Sequence, residues 1–238
     1  MFRKTVADSL NNEKEFRFRG HEVRRIEAFS DAVFAFAVTL LIVSLEVPRT
    51  FAELMAAMRG FFAFGISFTL LMSIWYEQNI FFRRYGLDDL PTITYNCILI
   101  FLVLFYVYPL KFLFTLLFNA KDNTNAITID DVPKLMAIYG AGYIAIYFIF
   151  FLMYRHVLKR ASMLDLTRSE VFDTKTKFYK NLIMIVVGIV SVVMTVTIRK
   201  EWSGYSGFVY ALLGPVLSVF HTYRARRKRK IFVKQNNE

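Results

Sequence analysis

Six predominantly apolar blocks follow one another along this 238-residue chain. Each is roughly 17–25 residues long, the length that carries an α-helix across about 30 Å of hydrocarbon. Inside a bilayer no water can satisfy backbone N–H and C=O groups, so a spanning segment must bond to itself as a helix or close into a barrel. The blocks are far longer than barrel strands. The expected architecture is therefore an all-α integral membrane protein with six transmembrane helices per subunit. Composition agrees: 56% of residues are hydrophobic and 17% aromatic, against about 45–50% apolar in soluble domains.

The blocks fall at about 29–47, 60–82, 93–118, 135–154, 182–198 and 202–223. Pro109 and Lys111 interrupt the third. The sixth has no charge but carries Gly204, Gly207, Gly214 and Pro215, and reads as broken. This divides the chain into an N-terminal segment 1–24, a membrane domain 25–223 and a basic tail 224–238. An even number of spans puts both termini on one side. Twenty-three of the thirty Lys and Arg residues then lie on the side of the termini and seven on the other. Positive residues mark the cytoplasmic face, so both termini are expected in the cytoplasm. The polar start lacks the short apolar region of a signal peptide. The stretch Leu158–Phe178 mixes charges of both signs and reads as a solvated linker. The tail Arg224–Lys230 reads as a topology anchor against anionic headgroups, or as a more specific lipid or partner site.

The net charge of +11 is explained by these flanks, so no nucleic-acid partner is expected. The lone Cys97 cannot pair within the chain. His21, His156 and His221 lie near helix ends without metal-ligand spacing. No phosphate loop or nucleophile elbow is present. No enzymatic activity and no cofactor are expected.

The most informative segment opens the first block: Arg25-Ile-Glu-Ala-Phe29-Ser30-Asp31. An arginine and an aspartate at a helix start in the membrane need partners from neighbouring helices. Further on, Ala32, Phe36, Thr39, Leu40, Val43 and Val47 share a stripe about 100° wide at about 100° per residue. Two readings are open. The stripe packs against lipid or core, with Thr39 bonding its own i−4 carbonyl. Alternatively, several copies surround an axis, giving a hydroxyl ring at Thr39 and an apolar constriction at Phe36, Leu40 and Val43.

The motif Arg25-x-x-x-Phe29-Ser30-Asp31 resembles the signature of the transmembrane protein 175 family, potassium-permeable channels of lysosomes with bacterial relatives. Thr39-Leu40-Leu41, Trp75 near the end of the second block, and Asn96 with Pro109 in the third extend the likeness. Six spans in one chain look like a bacterial member. The resemblance implies a homotetramer whose first helices line a central pore in the cell (inner) membrane. It places constrictions at Phe36, Leu40 and Val43, selectivity and a K⁺ position at Thr39, and a polar network of Arg25, Phe29, Ser30, Asp31, Trp75, Gln78 and Asn96. Glu46 lies at the pore mouth, where four copies would concentrate cations. Phe36 stands where the family usually has Ile or Leu, and Gln78 where His is common. The implied partners are other copies of the chain, membrane lipids and K⁺. The implied function is passive K⁺ conduction. The rival readings are a secondary transporter or proton-coupled carrier using Asp31, Glu46 and Glu77, and a scaffold without conduction of its own.

Overall fold

The computed structural model describes residues 16–43, 49–51, 54, 55, 58, 61–118, 128, 130–198 and 200–233. Its elements are helical: α1 Arg25–Val43, α2 Phe61–Tyr85, α3 Leu90–Phe118, α4 Val132–Lys159, α5 Arg168–Thr197, and α6 Leu213–Val233, which follows a 3₁₀ segment over Lys200–Leu212. Among the described residues, three stretches are long and apolar enough by themselves to cross a membrane: Leu90–Leu110, Val132–Lys159 and Arg168–Thr197.

Local chemistry sets the helix ends. α2 stops at Gly86, whose φ of +56° suits glycine and whose N–H closes on Phe82 O at 2.8 Å. Pro91 and Pro133 sit in the first turns of α3 and α4, where a missing N–H costs nothing. Thr167 and Glu170 form a reciprocal capping box at the start of α5. That box corrects the sequence reading of Leu158–Phe178 as a linker. The connection is only 160–167, and 168–178 is the first turns of α5. Pro109 does not interrupt α3, which runs through it; its carbonyl accepts the Tyr139 hydroxyl of α4.

The sixth block is interrupted, as its glycines suggested. A 3₁₀ stretch as long as Lys200–Leu212 is uncommon. Polar bonds from α5 hold it. Ser191 Oγ donates to Ser206 O at 3.0 Å, and Thr195 Oγ1 lies 2.8 Å from Ser206 Oγ. α6 then continues well past 223, so the described part of the basic tail is helical.

α1 packs on α2 and α3; α4 packs on α3 and α5; α5 carries the 3₁₀ segment and α6. Lipid supplies no hydrophobic drive for helix association, so close van der Waals packing and polar bridges must hold spans together. Gly188 of α5 shows the closeness: a Cβ there would stand 2.7 Å from Ile144 Cγ1 and 3.1 Å from Tyr143 Cδ1 of α4. The buried core gathers Phe81, Phe82 and Tyr85 of α2 with Phe150, Met153 and Tyr154 of α4, while α1 contributes Phe34, Ala37 and Leu41.

The chain before α1 is strapped to this core. Gly20 N–H donates to Arg83 O at 3.0 Å. The Arg19 guanidinium spans Glu170 Oε2 (2.8 Å), Asp165 O (3.0 Å) and Leu164 O (3.0 Å). Arg17 N–H adds a bond to Glu170 Oε1 at 2.9 Å. The start of α1 is thereby fixed to the end of α2 and the α4–α5 turn.

Candidate functional site

α1 has two unlike faces. Ser30, Phe34, Ala37 and Leu41 recur at three- and four-residue steps and are buried against α2 and α3. The opposite face holds Ala32, Ala35, Phe36 and Thr39, all exposed. Phe29 and Phe36 are each 56% exposed, a large uncovered area for aromatic rings. Leu40 lies on the flank, half-buried and packed against the core. Val43 ends the helix, but its side chain and the whole of Glu46 lie outside the described residues. Thr39 Oγ1 donates to Ala35 O at 3.0 Å. This commits the hydroxyl proton to the helix and leaves the oxygen lone pairs free to face outward.

On the other side of the motif, polar side chains join α1 to α2 and α3. Gln78 Nε2 donates to Asn96 Oδ1 at 2.8 Å, Asn96 Nδ2 to Ser30 Oγ at 2.7 Å, and Ser30 Oγ to Ile26 O at 2.8 Å. All three side chains are buried. A second branch runs from Trp75 Nε1 to Asp31 Oδ1 at 2.8 Å. Each donor in these chains finds an acceptor, which is what a buried polar network needs to stabilise rather than weaken its surroundings.

The structure thus assembles Ser30, Asp31, Trp75, Gln78 and Asn96. It leaves out Arg25 and Phe29. Both are exposed and line an open cleft at the start of α1. The helix register explains this: Arg25, Phe29 and Phe36 fall on the uncovered face. The neighbouring Arg24 lines the same cleft and pairs there with Asp88 of the α2–α3 connection. Arg24 N–H also reaches Glu27 Oε1 at 3.4 Å. Sequence reasoning missed Arg24; its three-residue spacing to Glu27, a capping arrangement, was the available signal.

Two further clusters tie the helix ends together. Glu77 of α2 accepts from Lys177 Nζ at 3.0 and 3.1 Å, Lys180 Nζ at 2.9 Å and Tyr154 OH at 3.0 Å. Asp89, just before α3, meets His156 Nε2 of α4 at 2.6 Å and Nη1 of Arg160, the residue that caps α4, at 3.2 Å. Burial works against the Asp89 charge, yet the Thr92 hydroxyl, the His156 imidazole and the Arg160 guanidinium outweigh it and hold the carboxyl below its ordinary range.

Comparison with known proteins places these features. The family model of the endosomal/lysosomal potassium channel TMEM175 matches residues 25–109, which contain α1, the polar network and Asp89. A protein of Marivirga tractuosa named "Potassium channel" is 39% identical over 245 residues, covering 96% of this chain and 98% of its own. The chain belongs to the TMEM175 family. Its fold matches a crystal structure of a variant of the potassium channel MtTMEM175 bound to a nanobody–MBP fusion, with a TM-score of 0.78, 39% identity, and coverage of 89% of this chain and 97% of that one. A TMEM175 homologue from Chamaesiphon minutus, described as a lysosomal potassium-selective channel, shares the fold at a TM-score of 0.50 and 22% identity, over 86% of this chain and 96% of that one. As a TMEM175 member with long apolar helices, the chain is a multi-pass membrane protein.

Proposed function

We propose that this chain is a passive K⁺ channel in which four copies place their α1 helices around a central pore, six spans per subunit, in the cell membrane with both termini cytoplasmic. The uncovered α1 face carries the reading. A membrane helix that packs on two neighbours by one face and presents Phe36, Thr39 and two alanines on the other is built for copies of itself to complete it. Around a four-fold axis, Thr39 contributes a ring of hydroxyl oxygens that can stand in for part of an ion's water shell, with K⁺ held near it. Phe36, with Leu40 and Val43, forms the narrow apolar passage. Glu46, outside the described residues, is assigned to the pore mouth from the sequence alone. Selectivity from one hydroxyl ring falls short of that from stacked carbonyls.

The polar network serves as the frame. It fixes the start of α1 against α2 and α3, which holds the rotation of α1 and hence the direction of Phe36 and Thr39. The carrier reading needs acids that load and release an ion during transport. Glu77 is instead held by two lysines and a tyrosine, and Asp31 by Trp75. Those bonds favour a static ion-pair anchor. The test is reconstitution in a planar bilayer. Unitary current steps support the channel; saturating flux coupled to a proton gradient, without steps, overturns it.

A further inference from the structure

α6 turns one face toward α5 and the 3₁₀ segment. Leu213, Leu217, Phe220, Arg224 and Lys228 recur at three- and four-residue steps and are each partly covered. Two of them pin the helix rotation. Arg224 Nε donates to Thr176 Oγ1 at 2.9 Å and its Nη2 to Phe172 O at 3.1 Å, with the guanidinium 4.0 Å from the centre of the Phe172 ring. Lys228 Nζ reaches Asp173 Oδ2 at 2.6 Å.

A second face, about 110° round the helix, follows from this rotation. Val216, Val219, Tyr223, Arg226, Arg227 and Lys230 lie within an arc of about 100°, and all six are exposed. Along the stripe the chemistry changes once. Val216, Val219 and Tyr223 are 41%, 70% and 58% exposed, an apolar strip ending in a ring with a polar tip. Within the next two turns the same strip becomes cationic. Tyrosine marks the membrane–water interface, with its body in hydrocarbon and its hydroxyl among headgroups. Arg226, Arg227 and Lys230 then stand within about 10 Å of it along the axis, at the level of the headgroup phosphates. No acid of α6 can neutralise them, because α6 has none. Asp173, the acid α5 presents beside α6, is taken by Lys228.

We propose that Arg226, Arg227 and Lys230 form a binding site for anionic phospholipid headgroups on the outer face of α6, the acyl chains lying along Val216, Val219 and Tyr223. The pinned pair Arg224 and Lys228 positions this face and does not bind lipid. The proposal rests on the reading of α6 as the sixth span. Each cation near an anionic surface adds about fivefold to binding, and the three act together.

The test uses the full chain in detergent micelles with equal amounts of phosphatidylglycerol and phosphatidylcholine. The protein is repurified and the lipid retained per chain is counted by mass spectrometry. The site retains phosphatidylglycerol over phosphatidylcholine, and raised salt releases it. The triple variant Arg226→Gln, Arg227→Gln, Lys230→Gln loses at least about tenfold of that retention. The double variant Arg226→Lys, Arg227→Lys keeps it. A control with Arg155→Gln, Lys159→Gln and Arg168→Gln, three exposed cations elsewhere, keeps it. Equal retention of the two lipids, an unchanged triple variant, or an equal loss in the control each overturns the proposal. Retention is read without ion conduction, so a protein that carries no K⁺ faults the channel reading and leaves this test intact. If Val219→Cys in a Cys97→Ser background reacts in vesicles with a water-soluble maleimide as fast as Lys230→Cys does, the spanning placement of α6 fails, and the proposal with it.

Discussion

The indole N–H of Trp75 donates to Asp31 Oδ1 at 2.8 Å, joining α2 to the motif that opens α1. Asp31 is exposed, so water compensates part of the loss of this bond. Trp75→Phe keeps most of the ring packing and removes the donor. A double-mutant cycle of Trp75→Phe with Asp31→Ala, read by thermal unfolding in detergent, is expected to show a coupling of about 1 kcal/mol. Additive effects would mean the bond contributes nothing to holding α1.

Asn96 has no such relief. It accepts from Gln78 and donates to Ser30 in a fully buried chain. Asn96→Leu strands the Gln78 amide and removes a partner of Ser30, so it is expected to cost about 2–4 kcal/mol. Ser30→Ala strands only the Asn96 amide and should cost about half as much. Denaturation midpoints of the two variants decide this. A larger loss for Ser30→Ala than for Asn96→Leu would contradict the described chain of donors.

The α1 stripe was legible because a helix period is a property of the local sequence. Ala32, Phe36 and Thr39 share a face in any straight helix, and the structure leaves that face uncovered. Leu40 was less legible, because its place on the flank depends on how far α2 and α3 reach around α1. Which arginine finds an acid was not readable: Arg24 is chosen by Asp88, a partner from the distant α2–α3 connection. The N-terminal turns of α5 carried a visible Thr167–Glu170 capping signal, but their mixed charges masked it. Those charges find partners far away in sequence, Glu170 in Arg17 and Arg19 and Asp173 in Lys228. The 3₁₀ segment was readable only as an irregularity, since Ser191 and Thr195 of α5 hold it.

Asp89 gives a pH dependence with a definite sign. Its folded-state pKa lies below the ordinary 3.8, so the folded state favours the carboxylate. The contribution is complete above the unfolded value and is lost as pH falls below it. Thermal midpoints should therefore drop between about pH 5 and pH 3, and Asp89→Asn should flatten that drop while lowering the midpoint at neutral pH. A variant whose acid profile matches the parent protein would remove Asp89 from the anchor between α3 and α4.

Phe36 is the bulkiest described side chain on the uncovered face beyond the motif. If four such rings narrow the passage, Phe36→Ala widens and wets it. Single-channel conductance is then expected to rise severalfold, on the order of what removing one apolar barrier of about 1 kcal/mol gives. Unchanged conductance would assign Phe36 to packing between subunits.

The most direct test of K⁺ conduction along the α1 face is the bi-ionic reversal potential of reconstituted protein, K⁺ on one side and Na⁺ on the other, with Thr39→Ala measured beside it. The account expects unitary currents that reverse toward the K⁺ equilibrium in the parent protein and shift toward zero when the Thr39 hydroxyl is removed. A parent reversal near zero would contradict K⁺ preference. A displaced reversal that Thr39→Ala leaves unmoved would contradict the place assigned to Thr39.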